Sequence, residues 1–236
     1  FTMDYVETPE QAFSAAEEVV RLNRYLHTID VSLFEATLDR FHDLAWRYEQ
    51  FENALKNASP ERIDKAKNEI EQASRFAYLV DEYENLIASG DLVPRVMHND
   101  TKINNILFNK NTNKAVCVID LDTLMPGYFI YDVGDMIRTF VSPVSEEEKD
   151  VDKITIRKEI LNAIVDGYLS QMHDVLTEKE KTLIPFGGIM MTCIMGLRFL
   201  ADFLNGDIYY HTTYPGQNLV RATNQFQLLT LLSKNF

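Results

Sequence analysis

Between positions 98 and 122 the chain places His98, Asp100, Lys102, Asn105, Asp120 and Asp122 close together. Phosphoryl transfer from a nucleotide asks for a small set of groups of these types. One carboxylate accepts or orients the proton of the attacking hydroxyl. A second carboxylate and an amide oxygen hold magnesium, which prefers hard oxygen ligands. A cation near the transferred group lowers the transition state further. Asp100 is the expected base, Asn105 and Asp120 the expected metal ligands, and Lys102 the cation that reaches the γ-phosphate. His98 is expected to brace the loop by hydrogen bonding. Average residue usage produces His-x-Asp-x-x-x-x-Asn by chance in roughly one per cent of chains this long. Adding Lys102, the flanking apolar runs and a strand-terminal Asp120 makes coincidence much rarer. The bland alternative is an asparagine-rich turn whose polar groups only close local hydrogen bonds.

These residues need a rigid frame, and the neighbouring sequence supplies one. Arg95-Val96-Met97, Ile106-Leu107-Phe108 and Ala115 to Ile119 are short, apolar and partly β-branched, with a polar turn at Asn109 to Lys114 between the last two. This predicts a hairpin that sets Asp120 beside Asn105. Pro126-Gly127 predicts a further turn.

Elsewhere the pattern is helical. Thr8-Pro9-Glu10-Gln11 reads as a capping box with proline at the first helical position. Apolar periodicity predicts helices through Leu26, across much of Leu33 to Leu55, and from Ser59-Pro60 to near Gly90. After the β-unit, helices are expected around Val133 to Phe140, Ile154 to Gln171, Glu178 to Leu204 and Leu219 to Leu232. The expected class is α+β, mainly α-helical, with one small β-unit and no repeat or linker: a single domain over 1–236.

The 236 residues carry a formal net charge of −13 with 46% hydrophobic residues. That charge argues against a nucleic-acid partner or an anionic membrane surface. It leaves nucleotides open, because a bound divalent cation inverts the local field. Cys117 and Cys193 are too few for a disulfide scaffold and sit in apolar runs. No stretch is read as a membrane span and no signal peptide is visible, so a cytoplasmic protein is expected. Oligomeric state is left open.

His98 to Asn105 resembles the catalytic loop of the eukaryotic-like kinases, and more closely that of the aminoglycoside phosphotransferase and choline kinase superfamily. The resemblance implies a protein-kinase-like fold, ATP as co-substrate, Mg2+ on Asn105 and Asp120, and Asp100 as the catalytic aspartate. It puts Asp122 where choline kinases carry a second acidic residue. Asp132-Val133-Gly134-Asp135 resembles the helix start that buttresses the loop, and Asp132 also reads as a plain helix N-cap. The stretches Gly196 to Tyr210 and Asn218 to Ala222 are similar to the N-acetylhexosamine 1-kinase branch, whose members phosphorylate the anomeric hydroxyl of an N-acetylhexosamine. On that likeness Arg198, Asp202, Tyr209, Asn218 and Arg221 become candidate sugar contacts. From spacing alone, Arg198 and Asp202 also suit a helical ion pair.

A complete kinase of this kind also has a β-rich nucleotide lobe with a glycine-rich loop and a phosphate-gripping lysine. No such run precedes Pro94. The expectation is therefore a C-terminal lobe alone, starting just past the interlobe hinge and transferring phosphate poorly by itself. Competing expectations are a kinase for choline, an amino acid or an aminoglycoside, and a non-catalytic, pseudokinase-like binding module.

Overall fold

Capping and periodicity lay out a mostly helical chain. The computed structural model describes residues 1–236. Thr8 accepts from the backbone N–H of Gln11, and the Gln11 side chain returns the bond, opening α1 (Pro9–Leu26). Asp43 caps α2 (Leu44–Asn57) through the N–H of Trp46, and Ser59 caps α3 (Pro60–Lys65). Then follow α4 (Lys67–Arg75), α5 (Tyr78–Ala88), β1 (Arg95–Met97), β2 (Ile106–Phe108), β3 (Ala115–Val118) and β4 (Met125–Gly127). The chain closes with α6 (Phe129–Phe140), α7 (Lys158–Met172), α8 (Glu178–Thr182), α9 (Ile184–Asn205) and α10 (Gln217–Asn235).

Several boundaries differ from the sequence reading. The helix expected from Leu33 starts only at Leu44, because Asp30 first caps a 3-10 turn at Val31–Leu33 and Asp43 restarts the chain. The long third helix bends at Ala66 and at Phe76-Ala77 into three pieces, which keep one apolar period while wrapping α2, α9 and α10. The helix expected from Ile154 begins at Lys158. The helix expected over Glu178 to Leu204 breaks at Leu183, where Pro185 lies in the first turn of α9. Pro126-Gly127 is not a turn but part of β4, antiparallel to β1 with Val96 opposite Pro126. A proline is tolerated there because each sheet has only two strands, so every strand is an edge.

Helix α9 is the core. It packs against α2, α6 and α10, while α1 packs on α7. By length and composition α9 does reach that of a membrane span, contrary to the sequence reading, yet 83% of its most apolar window is buried inside the protein. An all-round apolar helix is what a central position requires. Where α6 crosses α9 the backbones nearly touch: a Cβ on Gly134 would collide with the Gly187 carbonyl, and one on Gly188 would meet Ile137 Cγ2 at 2.7 Å. This approach fixes α6, and with it Asp132 and Asp135, relative to the rest of the site. A buried ion pair from Arg95 to Glu180, itself in the Thr177 capping box, ties β1 to α8.

Candidate active site

Strand β1 ends at Met97, and the chain then turns sharply through Asn99, whose φ of 66° is left-handed. Asparagine tolerates this conformation better than most residues. Its Nδ2 donates to the carbonyls of Met97, Thr123 and Met125, which joins the loop to the β4 side. Asp132 secures the same turn from below. Its carboxylate accepts from the N–H groups of His98 (3.1 Å) and Asn99 (2.7 Å) and from Asn23 Nδ2 (3.0 Å). Thr101 Oγ1 donates back to the Asp132 carbonyl at 2.7 Å. Burial pushes this carboxyl upward, against the donors that favour the anion. Asp132 is not the N-cap of its helix: α6 begins at Phe129, and Tyr128 flanks it without a side-chain cap.

Asp100 follows, with Oδ2 accepting from Lys102 Nζ at 2.7 Å and Asn105 Nδ2 at 2.8 Å. Asn105 Nδ2 also donates to the Asp100 carbonyl at 2.9 Å. With its amino group so engaged, Asn105 keeps its Oδ1 free of protein donors. The hairpin places Asp120 next to it: Ile119 N–H donates to the Asn105 carbonyl at 2.8 Å, and Ile106 lies opposite Val118. His98 accepts from the Asp100 N–H on Nδ1 and donates from Nε2 to the Ile119 carbonyl at 3.0 Å, which assigns the ring proton to Nε2. His98 thus spans the two halves of the loop. Asp120 is exposed, its carboxylate takes no protein donor, and its backbone is left-handed at φ 63°. Asp122 is exposed in the 3-10 turn Leu121–Thr123.

Asn105 Oδ1 and the Asp120 carboxylate fit a magnesium ion by donor type, as unspent hard oxygens. No group of three or more His, Cys, Asp or Glu side chains forms a complete cage. Magnesium suits such a partial site, because it retains waters and takes phosphate oxygens as further ligands.

Asp100 and Lys102 line one side of a cavity of about 690 Å3 whose opposite walls come from α6, α9 and α10. Five buried polar atoms in these walls have no protein partner: His42 Nδ1, Asp135 Oδ2, Tyr210 OH, Arg221 Nε and Gln225 Oε1. These atoms are sealed from solvent behind the cavity surface, and the lining itself is largely polar and charged, with Asp135, Arg138, Glu146, Arg198 and Arg221 on it. Arg138 binds Asp135 Oδ1 at 2.8 Å and Glu146 at 3.3 Å. His42 bonds to the Asn99 carbonyl at 2.7 Å, and burial pushes its pKa down to about 3, so the ring is neutral.

Arg198 lines this cavity too, but not in the expected ion pair with Asp202. Its guanidinium lies 5.1 Å from the Phe41 ring and 5.5 Å from that of Tyr210, and its single hydrogen bond goes to Met195 Sδ. Asp202 instead accepts from the N–H groups of Ile208, Tyr209 and Tyr210 and from Asn218 Nδ2. Asn218 is fully buried between Asp202 and Asp207. Both residues are committed to folding the 207–210 loop and neither lines this cavity, so this cavity does not bring them together with Arg198 and Arg221 as expected. Tyr209 is 71% exposed and also lies outside the cavity. Arg221 does line it, over the Phe199 ring and paired with Glu147. Sequence reasoning missed His42, Arg138, Tyr210 and Gln225. Only the three-residue spacing of Asp135 and Arg138 carried a signal.

A profile of the phosphotransferase enzyme family matches residues 3–169. Among solved structures, the chain is similar to a choline kinase from Cryptosporidium parvum Iowa II, with a TM-score of 0.52 and 16% identity, covering 100% of this chain and 69% of that one. It is also similar to a Plasmodium vivax ethanolamine kinase, with a TM-score of 0.60 and 15% identity, covering 95% of this chain and 63% of that one. The fold is thus the kinase-like one expected, mainly helical with a small β-unit. The match over residues 3–169 spans well over half of the sequence, and the chain belongs to the phosphotransferase enzyme family.

Proposed function

We propose that the chain is the catalytic-loop and acceptor-binding lobe of an ATP- and magnesium-dependent kinase that phosphorylates a sugar hydroxyl, the anomeric hydroxyl of an N-acetylhexosamine. The observation that carries the acceptor class is the polar lining of the cavity beside Asp100, to which Asp135, Arg138, Arg221, Asn224 and Gln225 contribute. A polyhydroxylated ligand engages such a lining in several directions at once, whereas a small quaternary cation offers it no hydrogen-bonding N–H.

A second observation weighs against a quaternary ammonium acceptor such as choline. Cation recognition of that kind uses open aromatic faces. Here Arg198 already lies beside Phe41 and Tyr210, and Arg221 lies over Phe199. A cationic acceptor would meet guanidinium charge in place of bare rings.

Asp100 presents Oδ1 without a protein donor, so the acceptor hydroxyl donates there and is aligned for attack as its proton is withdrawn. Lys102 supplies positive charge at the same edge of the loop. Asn105 and Asp120 would hold magnesium, which when bound would supply charge neutralisation on the phosphates. Binding tests the acceptor class: N-acetylglucosamine and choline titrated into the chain, followed by NMR. Saturable shifts at Tyr210 and Gln225 with the sugar alone are expected. Saturation of the same residues by choline contradicts the reading.

A further inference from the structure

A second cavity, of about 430 Å3, lies between α2 and the end of α9. Arg198 and Tyr210 line both cavities and so form the partition between them. Its α2 wall presents Gln50, Asn53 and Asn57, spaced to share a helical face. Asn205 adds a fourth amide from α9. Amide side chains offer a donor and an acceptor each, the groups that hydroxyl-rich ligands engage.

The charge in this cavity is unbalanced. Arg47 gives three of its five N–H groups to neutral oxygens, the Phe41 carbonyl at 3.0 and 2.7 Å and Gln50 Oε1 at 2.8 Å, which leaves one on each terminal nitrogen. Arg198 has no carboxylate partner, as described above. The wall's one carboxylate, Asp202, is consumed by three backbone N–H groups and Asn218. Burial and the neighbouring Arg198 charge together lower the Arg47 pKa to about 10. Two guanidiniums against one carboxylate leave this cavity net positive in a chain of net charge −13. A guanidinium is built to take a carboxylate through paired N–H donors.

We propose that the second cavity is a subsite for a carboxylate-bearing sugar residue linked to the one that is phosphorylated. This rests on the acceptor reading above. Phosphorylation at the anomeric carbon requires a free reducing end at Asp100, so any further residue must be joined on the far side of the ring. That residue crosses Arg198 and Tyr210, stacks near Tyr209 and meets Arg47 with its carboxylate, while the α2 amides take its hydroxyls.

Calorimetric titration of the chain tests this with four ligands: N-acetylglucosamine, free glucuronate, a neutral galactosyl-N-acetylglucosamine disaccharide and its glucuronyl counterpart. The acidic disaccharide is expected to bind at least about tenfold tighter than the neutral one, as charge-assisted hydrogen bonds outweigh neutral ones. That ratio is expected to shrink with added salt and to fall to near one in Arg47→Gln. Asn53→Asp puts a negative charge on an exposed helical position without touching the Phe41 carbonyl, and it is expected to remove the preference as well. Equal affinity for the two disaccharides, or a preference that survives Asn53→Asp, overturns the subsite while leaving the acceptor reading intact. Free glucuronate binding as tightly as the acidic disaccharide overturns the linkage and makes this a separate anion site. Binding of the acidic disaccharide without any binding of N-acetylglucosamine defeats the acceptor reading instead.

Discussion

Asn105 donates one amide group to two oxygens of Asp100, the carbonyl at 2.9 Å and the carboxylate Oδ2 at 2.8 Å. The bond ties the proposed base to a proposed metal ligand across five residues, and it dictates which way the Asn105 amide points. A single side chain thereby orients Asp100 and presents an oxygen towards Asp120. Removing it disturbs both jobs.

Asn105→Ala in the gene product that contains this chain is therefore expected to lower kcat by about 10²–10³, within the range of a lost electrostatic or proton-transfer group. The magnesium concentration needed for half-maximal rate is expected to rise. Steady-state rates over a magnesium series check this, and an unchanged metal requirement contradicts the ligand role of Asn105.

Asp132 ties the 98–105 loop to α6, and Asp132→Ala leaves the His98 and Asn99 N–H groups and Asn23 without their acceptor. The expected loss is about 3–5 kcal/mol of folding stability, since several hydrogen bonds to one buried anion disappear together. Urea unfolding of the variant measures it. A loss below about 1 kcal/mol would show that the loop does not depend on this brace.

His42 makes stability depend on pH in a defined window. Its pKa falls from 6.5 to about 3 on folding because burial disfavours the imidazolium. Between those values the unfolded chain binds the extra proton. The contribution is thus fully present above pH 6.5 and is lost as pH falls towards 3. The slope is about 1.4 kcal/mol per pH unit for one such group. His42→Gln, which can still donate to the Asn99 carbonyl, is expected to flatten acid unfolding in this window. Parallel stability curves for the two proteins contradict the assignment.

Arg198→Leu removes the guanidinium shared by the two cavities. KM for an N-acetylhexosamine is expected to rise about 10- to 100-fold, the cost of losing a hydrogen-bonding cation, with a smaller change in kcat. The variant is also expected to gain weak binding of choline, because the Phe41 and Tyr210 rings become accessible. An unchanged KM removes Arg198 from the acceptor site.

The proximity of Asp100, Asn105 and Asp120 was legible because they lie on or just before one hairpin, where short spacing keeps groups together. Asp100, Asn105 and Asp120 needed no tertiary information beyond the pairing of β2 with β3. The acceptor cavity was less legible. His42 lies 57 residues before Asn99, to which it bonds, and nothing in its local pattern points there. The loop-closing bonds of Asp202 and Asn218 were not legible, because a polar residue in a helical stretch does not announce whether it turns to a ligand or to a loop. Their partners, the N–H groups of residues 208–210 and Asp207, exist only once that loop has folded. Helix α9 reads as a strongly apolar run either way, and only its burial separates a core helix from a membrane span.

On the proposed function, Asp100 directs phosphoryl transfer to a sugar hydroxyl. This is tested most directly by following phosphorus NMR of the gene product containing this chain, incubated with ATP, magnesium and either N-acetylglucosamine or choline. The expected product is an anomeric sugar phosphate with little or no phosphocholine, at a rate about 10²–10⁴ lower in Asp100→Asn with the fold retained. Phosphocholine as the main product, or an Asp100→Asn variant as fast as the parent, would contradict it.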